Sequence, residues 1–151
     1  VISTLHTNDT ATTIERFREL KVEPFMIASV LNAIVAQRLV RKVCPHCSYE
    51  RDMSEEEKIT LNLPVDNNYR IRDSEGCVKC RYTGFKGRTA IVEFMPITPK
   101  MRNLISSEAT TDELRNNAVL DGMMTLRESA IRKLADGVTT FNEIVRALYY
   151  E

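Results

Sequence analysis

Val43-Cys44-Pro45-His46-Cys47-Ser48 and Gly76-Cys77-Val78-Lys79-Cys80-Arg81 hold the only four cysteines of the 151-residue chain, as two Cys-x-x-Cys pairs. A pair at this spacing brings two sulfurs to one point from a tight turn, and two pairs complete a four-sulfur shell. Zn²⁺ favours such a shell, with Zn–S bonds of ~2.3 Å, and its lack of redox chemistry suits a closed structural site. Other chemistries use the same residues. Two disulfides need an oxidising compartment, and the opening Val1-Ile2-Ser3-Thr4-Leu5 lacks the basic region and apolar stretch of a secretory signal. Pro45-His46 is a dipeptide also found between the cysteines of disulfide oxidoreductases, where a helix N-terminus lowers the thiol pKa. An iron site is a further reading. Structural zinc on Cys44, Cys47, Cys77 and Cys80 is favoured, because the first pair follows an expected helix and a second pair waits downstream. His46 is expected to face solvent in its turn.

Around this framework the charges cancel, 21 basic against 21 acidic, in a chain that is 28% charged. No global field therefore draws in nucleic acid or a membrane surface. No apolar run reaches the ~20 residues needed to cross a bilayer; the longest candidate, Phe25 to Ala36, is interrupted by Ser29 and Asn32. Locally the balance breaks. Residues 76–88 carry Lys79, Arg81, Lys86 and Arg88 and no acid, while residues 51–75 are mainly acidic.

The pattern of the rest predicts a mixed α/β chain rich in helix. Val1 to Leu5, β-branched and uncharged, reads as the end of a buried strand leaving at His6-Thr7-Asn8-Asp9. Asp9 or Thr10 caps a helix to about Leu20. Pro24 opens a second helix, expected to run to Val43 as the central packing element, with Arg38, Arg41 and Lys42 favourable at its C-terminus. Ser54 begins a capping box for a short helix to about Leu63, and residues 65–73 are expected to be extended. Residues 82–88 read as a turn and Thr89 to Met95 as a strand. The last third divides into helices at about Lys100–Ser106, Thr111–Leu120, Met124–Ala135 and Phe141–Tyr149, punctuated by Gly122 and Gly137. Three domains are expected: 1–43, 44–95 and 96–151.

Ser3-Thr4-Leu5-His6-Thr7-Asn8 resembles the histidine box of the secretion ATPases, the hexameric motors of type II secretion and type IV pilus assembly. The resemblance continues through Val22-Glu23-Pro24-Phe25, Val35-Ala36-Gln37-Arg38-Leu39-Val40-Arg41, both cysteine pairs, Thr83-Gly84-Phe85-Lys86-Gly87-Arg88 and Asp136-Gly137-Val138-Thr139-Thr140. The tetracysteine insert points to the secretion and pilus-extension branch. The resemblance implies the distal part of a RecA-like P-loop domain, a zinc-binding lobe and a C-terminal helical bundle. It also implies ATP and Mg²⁺ as ligands of the full-length protein, a homohexamer, an inner-membrane platform protein as partner, and a cytoplasmic place at the inner membrane. No G-x-x-x-x-G-K-[ST] occurs in the chain. In the family that loop lies upstream of the histidine box, so the chain alone is expected to be inactive.

By the same resemblance His6 would sense or polarise the γ-phosphate, with Ser3 and Thr4 orienting it, since an imidazole can donate a hydrogen bond to charge developing in phosphoryl transfer. Gln37, Arg38 and Arg88 are nucleotide or subunit-interface candidates. The plainer reading makes Gln37 and Arg38 a hydrated helix end anchoring carbonyls, and Arg88 an exposed basic turn. The competing class is a non-enzymatic zinc ribbon that binds nucleic acid through Lys79, Arg81, Lys86 and Arg88, with a steep salt dependence as its signature.

Overall fold

The computed structural model describes residues 1–150, which form seven α-helices, four β-strands and one short 3₁₀ turn. The chain is mixed α/β. It divides into two compact units, residues 1–37 with 92–126, and residues 38–91 with the described residues from 127 onward.

In the first unit, α1 (Thr10–Glu19) starts at Asp9, whose carboxylate accepts from the Thr12 amide at 2.8 Å in a reciprocal capping box. α2 (Pro24–Val30) begins with Pro24 in its first turn, where the missing N–H costs nothing. α4 (Pro99–Ser106) is capped by Thr98, and α5 (Thr111–Leu120) by Thr110 with Glu113 reciprocating. α1 packs on α5, and α2 on α4. Ile14, Ile27, Met95, Met101, Ile105 and Leu114 fill the space between them.

The second helix is shorter than the sequence predicts. It ends at Val30, and residues 33–43 form strand β1 (Ala33–Val43). Read at period two instead of 3.6, Ile34, Ala36 and Val40 face inward and Val35, Gln37 and Leu39 face outward. The β-branched residues suit that conformation better than a helix. Arg38, Arg41 and Lys42 therefore sit on a strand, not at a helix terminus. The expected strand at Val1–Leu5 is also absent: residues 1–7 are irregular, with Val1 and Ile2 exposed. A strand needs a ladder partner, and no described strand pairs with this segment.

β1 pairs with β4 (Phe85–Pro96). Their direction follows from the flanks. The Ile97 amide donates to the Asn32 carbonyl at one end, and the Cys44 amide to the Gly84 carbonyl at the other, so the strands run antiparallel. β4 begins four residues before the sequence places it.

In the second unit, β2 (Ser48–Asp52) and β3 (Arg70–Ser74) form an antiparallel pair with Glu50 opposite Arg72. α3 (Glu55–Thr60) lies between them in sequence, opened by the Ser54–Glu57 box. The chain closes with α6 (Leu126–Ala135), which leaves the first unit after Leu126, and α7 (Phe141–Tyr149), capped by Thr140. Apart from Leu126, both of these helices belong to the second unit.

Candidate metal centre

Cys44 follows β1 directly, and the next three residues turn so that the Ser48 amide donates to the Cys44 carbonyl at 3.1 Å, starting β2. The second pair frames the 3₁₀ turn Val78–Cys80, closed by the Tyr82 amide on the Cys77 carbonyl at 2.8 Å. Two glycines make the approach possible. Gly76 has φ +94°, and a Cβ there would lie 2.7 Å from the Tyr82 carbonyl oxygen. Gly84 has φ +77°, and a Cβ would meet the Ser74 hydroxyl at 2.5 Å.

The four sulfurs all lie within 4.8 Å of one another. Cys44 Sγ is 4.0 Å from Cys77 Sγ, while Cys80 Sγ is 3.8 Å from both Cys47 Sγ and Cys77 Sγ. A tetrahedron of ~2.3 Å metal–sulfur bonds has edges of ~3.8 Å, whereas a disulfide needs ~2.05 Å. All four cysteines are free thiols. The cluster therefore fits a tetrahedral metal ion and not a pair of disulfides.

Electrostatics prepare the shell. Burial pushes the Cys80 thiol up, but the amides of Cys77 and Gly84, at 3.2 and 3.3 Å, outweigh it and lower its pKa to about 6. Cys47 moves the other way, pushed up to about 12 by burial and by its sulfur neighbours. Cys80 is thereby favoured as thiolate, the form in which a cysteine binds a metal ion.

The surrounding lobe is held by polar contacts. Arg51 forks onto Glu57 at 2.6 and 2.8 Å and reaches Asp73 at 3.2 Å. That guanidinium holds the Glu57 carboxyl below its ordinary range, with burial opposing. Two C-terminal side chains grip the end of α3, Arg127 on the Leu61 carbonyl and the Tyr149 hydroxyl on the Thr60 carbonyl at 3.4 Å. Arg41 lies 4.1 Å from the Phe85 ring centroid and bonds Glu143 at 2.7 Å. Sequence reading missed β2 and this Arg41–Glu143 pair; the alternation from Ile34 to Val40 was the available signal for the strand that positions Arg41.

The remaining candidates are scattered. Thr4 and His6 are exposed in the irregular segment, and Gln37 and Arg88 are exposed on β1 and β4. Arg38 donates to the Ala147 carbonyl in the last turn of α7, a cation at a helix C-terminus. Lys79, Arg81, Lys86 and Arg88 are all exposed, as is His46. Arg81 and Tyr82 both adopt left-handed backbone, φ 55° and 60°, so the second knuckle projects Tyr82 outward, 73% exposed.

A four-sulfur cluster between strand ends, on an α/β frame, defines a mixed α/β protein with a site able to hold a metal ion. The sequence matches the model for the type II/IV secretion system protein family over residues 1–146, and the chain belongs to that family. It is 39% identical over 150 residues to the type IV pilus assembly ATPase TfpB of Acinetobacter baylyi, covering 98% of this chain and 26% of that protein. It is 42% identical over 151 residues to the protein transport protein HofB homolog of Escherichia coli, covering 98% of this chain and 31% of that protein. Against type II secretion system protein E of Aeromonas hydrophila the identity is 35% over 146 residues, 97% of this chain and 29% of the relative. The chain thus spans about a quarter to a third of the length of these relatives. Among the described residues no helix is long and apolar enough to cross a membrane.

Proposed function

We propose that this chain is the metal-bearing distal part of the P-loop, RecA-like ATPase domain of a motor that drives pilus or pseudopilus assembly and protein export. The reading is carried by one joint observation, the family match over residues 1–146 together with a tetracysteine cluster of tetrahedral dimensions. Zinc is the metal, because four thiolates at this spacing suit a closed, redox-inert site. The residues present do not hold a nucleotide unaided: the chain has no phosphate loop. ATP and Mg²⁺ belong to the whole protein, where His6 donates to the γ-phosphate and Thr4 helps to orient it.

Gln37 and Arg88 keep their roles as nucleotide or subunit contacts on the exposure of both side chains, and the whole protein acts as a homohexamer. Arg38 is the weakest of these, since its guanidinium already serves α7. The basic second knuckle docks on the inner-membrane platform partner, which keeps the motor cytoplasmic and peripheral to that membrane. In the full-length protein, His6→Ala should lower ATPase kcat by roughly 10²-fold, the order of losing one positioned donor; unchanged turnover would remove His6 from the mechanism. Metal analysis with sulfur-edge and zinc-edge absorption should find one zinc with four sulfur neighbours. Cys77→Ser should impair coupling to the partner more than basal turnover, and equal loss of both would count against the docking role.

A further inference from the structure

Glu93 is the buried acid of β4, only 4% exposed, in a strand whose neighbours Ile91 and Met95 are fully apolar. A carboxylate in such a place must be hydrogen-bonded or it destabilises the fold. Its donors are unusual. Oε1 accepts from the Thr10 amide at 2.9 Å and from the Thr10 hydroxyl. Oε2 accepts from the Leu126 amide at 2.9 Å. Thr10 and Leu126 are the first residues of α1 and α6. One carboxylate thus satisfies otherwise orphaned amides of two helices and sits at the positive ends of both.

The consequence reaches the histidine segment. Thr10 stands four residues after His6, and the intervening chain is tied down at Thr7 and at Asp9. The Thr7 and Thr13 hydroxyls are 2.8 Å apart, folding the segment onto the first turns of α1. Thr13 also donates to the Asp9 carbonyl at 3.1 Å. Asp9 caps α1 and pairs with Arg115 of α5 at 2.8 Å. Burial would raise the Asp9 carboxyl, but the Thr12 amide and Arg115 outweigh it and hold it below its ordinary value. His6 itself is exposed. Its place is set by the backbone that carries it, and that backbone is fixed to β4 through Thr10.

We infer that Glu93 is a positioning residue for His6: by capping α1 and α6 together, it fixes the Thr7–Thr10 segment against β4 and so holds the imidazole where the reaction needs it. The inference rests on the catalytic role proposed for His6. Replacing the carboxylate by an amide keeps its size but presents an N–H₂ toward donors, so one bond is lost and the α1 start is free to shift. Displacements of about 1 Å at a reacting group cost up to roughly 10²-fold in rate.

The test is a double-mutant cycle on ATPase turnover in the full-length protein. Glu93→Gln should lower kcat about 10-fold while KM for ATP stays within about twofold. In the His6→Ala background the same change should cost nothing further in kcat, although it still lowers the melting temperature. Additive losses in kcat would show a merely structural carboxylate and overturn the inference. A silent Glu93→Gln alongside a damaging His6→Ala would also overturn it, leaving the role of His6 standing. A silent His6→Ala would remove both. If Glu93→Gln does not fold, Thr10→Val removes the hydroxyl donor at constant shape and must show the same dependence on His6.

Discussion

The first unit closes on Ile14, Ile27, Met95, Ile105 and Leu114, side chains with essentially no exposed surface. The lobe between Cys44 and Gly84 buries Met53, Leu61 and Ile71 and relies otherwise on four sulfurs and on Arg51 held between Glu57 and Asp73. A segment with so little apolar surface cannot offset its ordering entropy by burial alone. One region is therefore governed by side-chain volume, the other by charge and, on the function proposed above, by metal binding. They should fail under different insults.

Metal removal should give the largest effect. Structural zinc in small modules carries apparent binding free energies of ~10–16 kcal/mol, so chelation or Cys77→Ser should abolish amide-exchange protection in β2 and β3 while leaving α1, α4 and α5 protected. Uniform loss, or none, would break the contrast between the regions. The reciprocal experiment acts on the aliphatic side. Ile105→Ala removes a fully buried side chain and should cost ~2–5 kcal/mol in denaturant unfolding without changing the metal content.

A third, smaller effect separates charge from metal within the lobe. Glu57 is held below its ordinary range, chiefly by the hydrogen bond from Arg51. A depressed carboxyl contributes stability that is complete above its unfolded pKa, near 4.3, and is lost as pH falls through the lower folded value. Arg51→Met should therefore cost about 1–3 kcal/mol at pH 7 and progressively less as pH falls below about 4, read from melting temperatures in the wild type and variant. A cost independent of pH would mean that Arg51 acts through packing.

Caps and cysteines were legible in the sequence because both are local signals. Of Asp9 and Thr10 it is Asp9 that caps α1, Ser54 opens its helix through the expected capping box, and the four sulfurs converge as their spacing implies. The stretch from Leu31 to Val43 was misread, since a short apolar run satisfies both helical and strand periods and only its pairing with β4 decides between them. The Glu93 clasp was invisible for the same reason. Its partners Thr10 and Leu126 are remote in sequence, and an isolated Glu in a strand reads as an outward-facing residue.

The smallest expected effect falls on the basic knuckle, and its smallness is informative. Lys79 and Lys86 are exposed, and among the described residues neither makes an ion pair, unlike Arg51 or Arg41. A surface charge without a partner contributes within about ±0.5 kcal/mol to folding, so Lys79→Ser and Lys86→Ser should leave the melting temperature and metal content nearly unchanged. If the same variants weaken association of the full-length protein with the platform partner proposed above, more so at low salt where exposed charges are least screened, these lysines serve recognition and not stability. A clear loss of stability would instead place them in the polar network that holds the lobe, and would move the docking surface elsewhere.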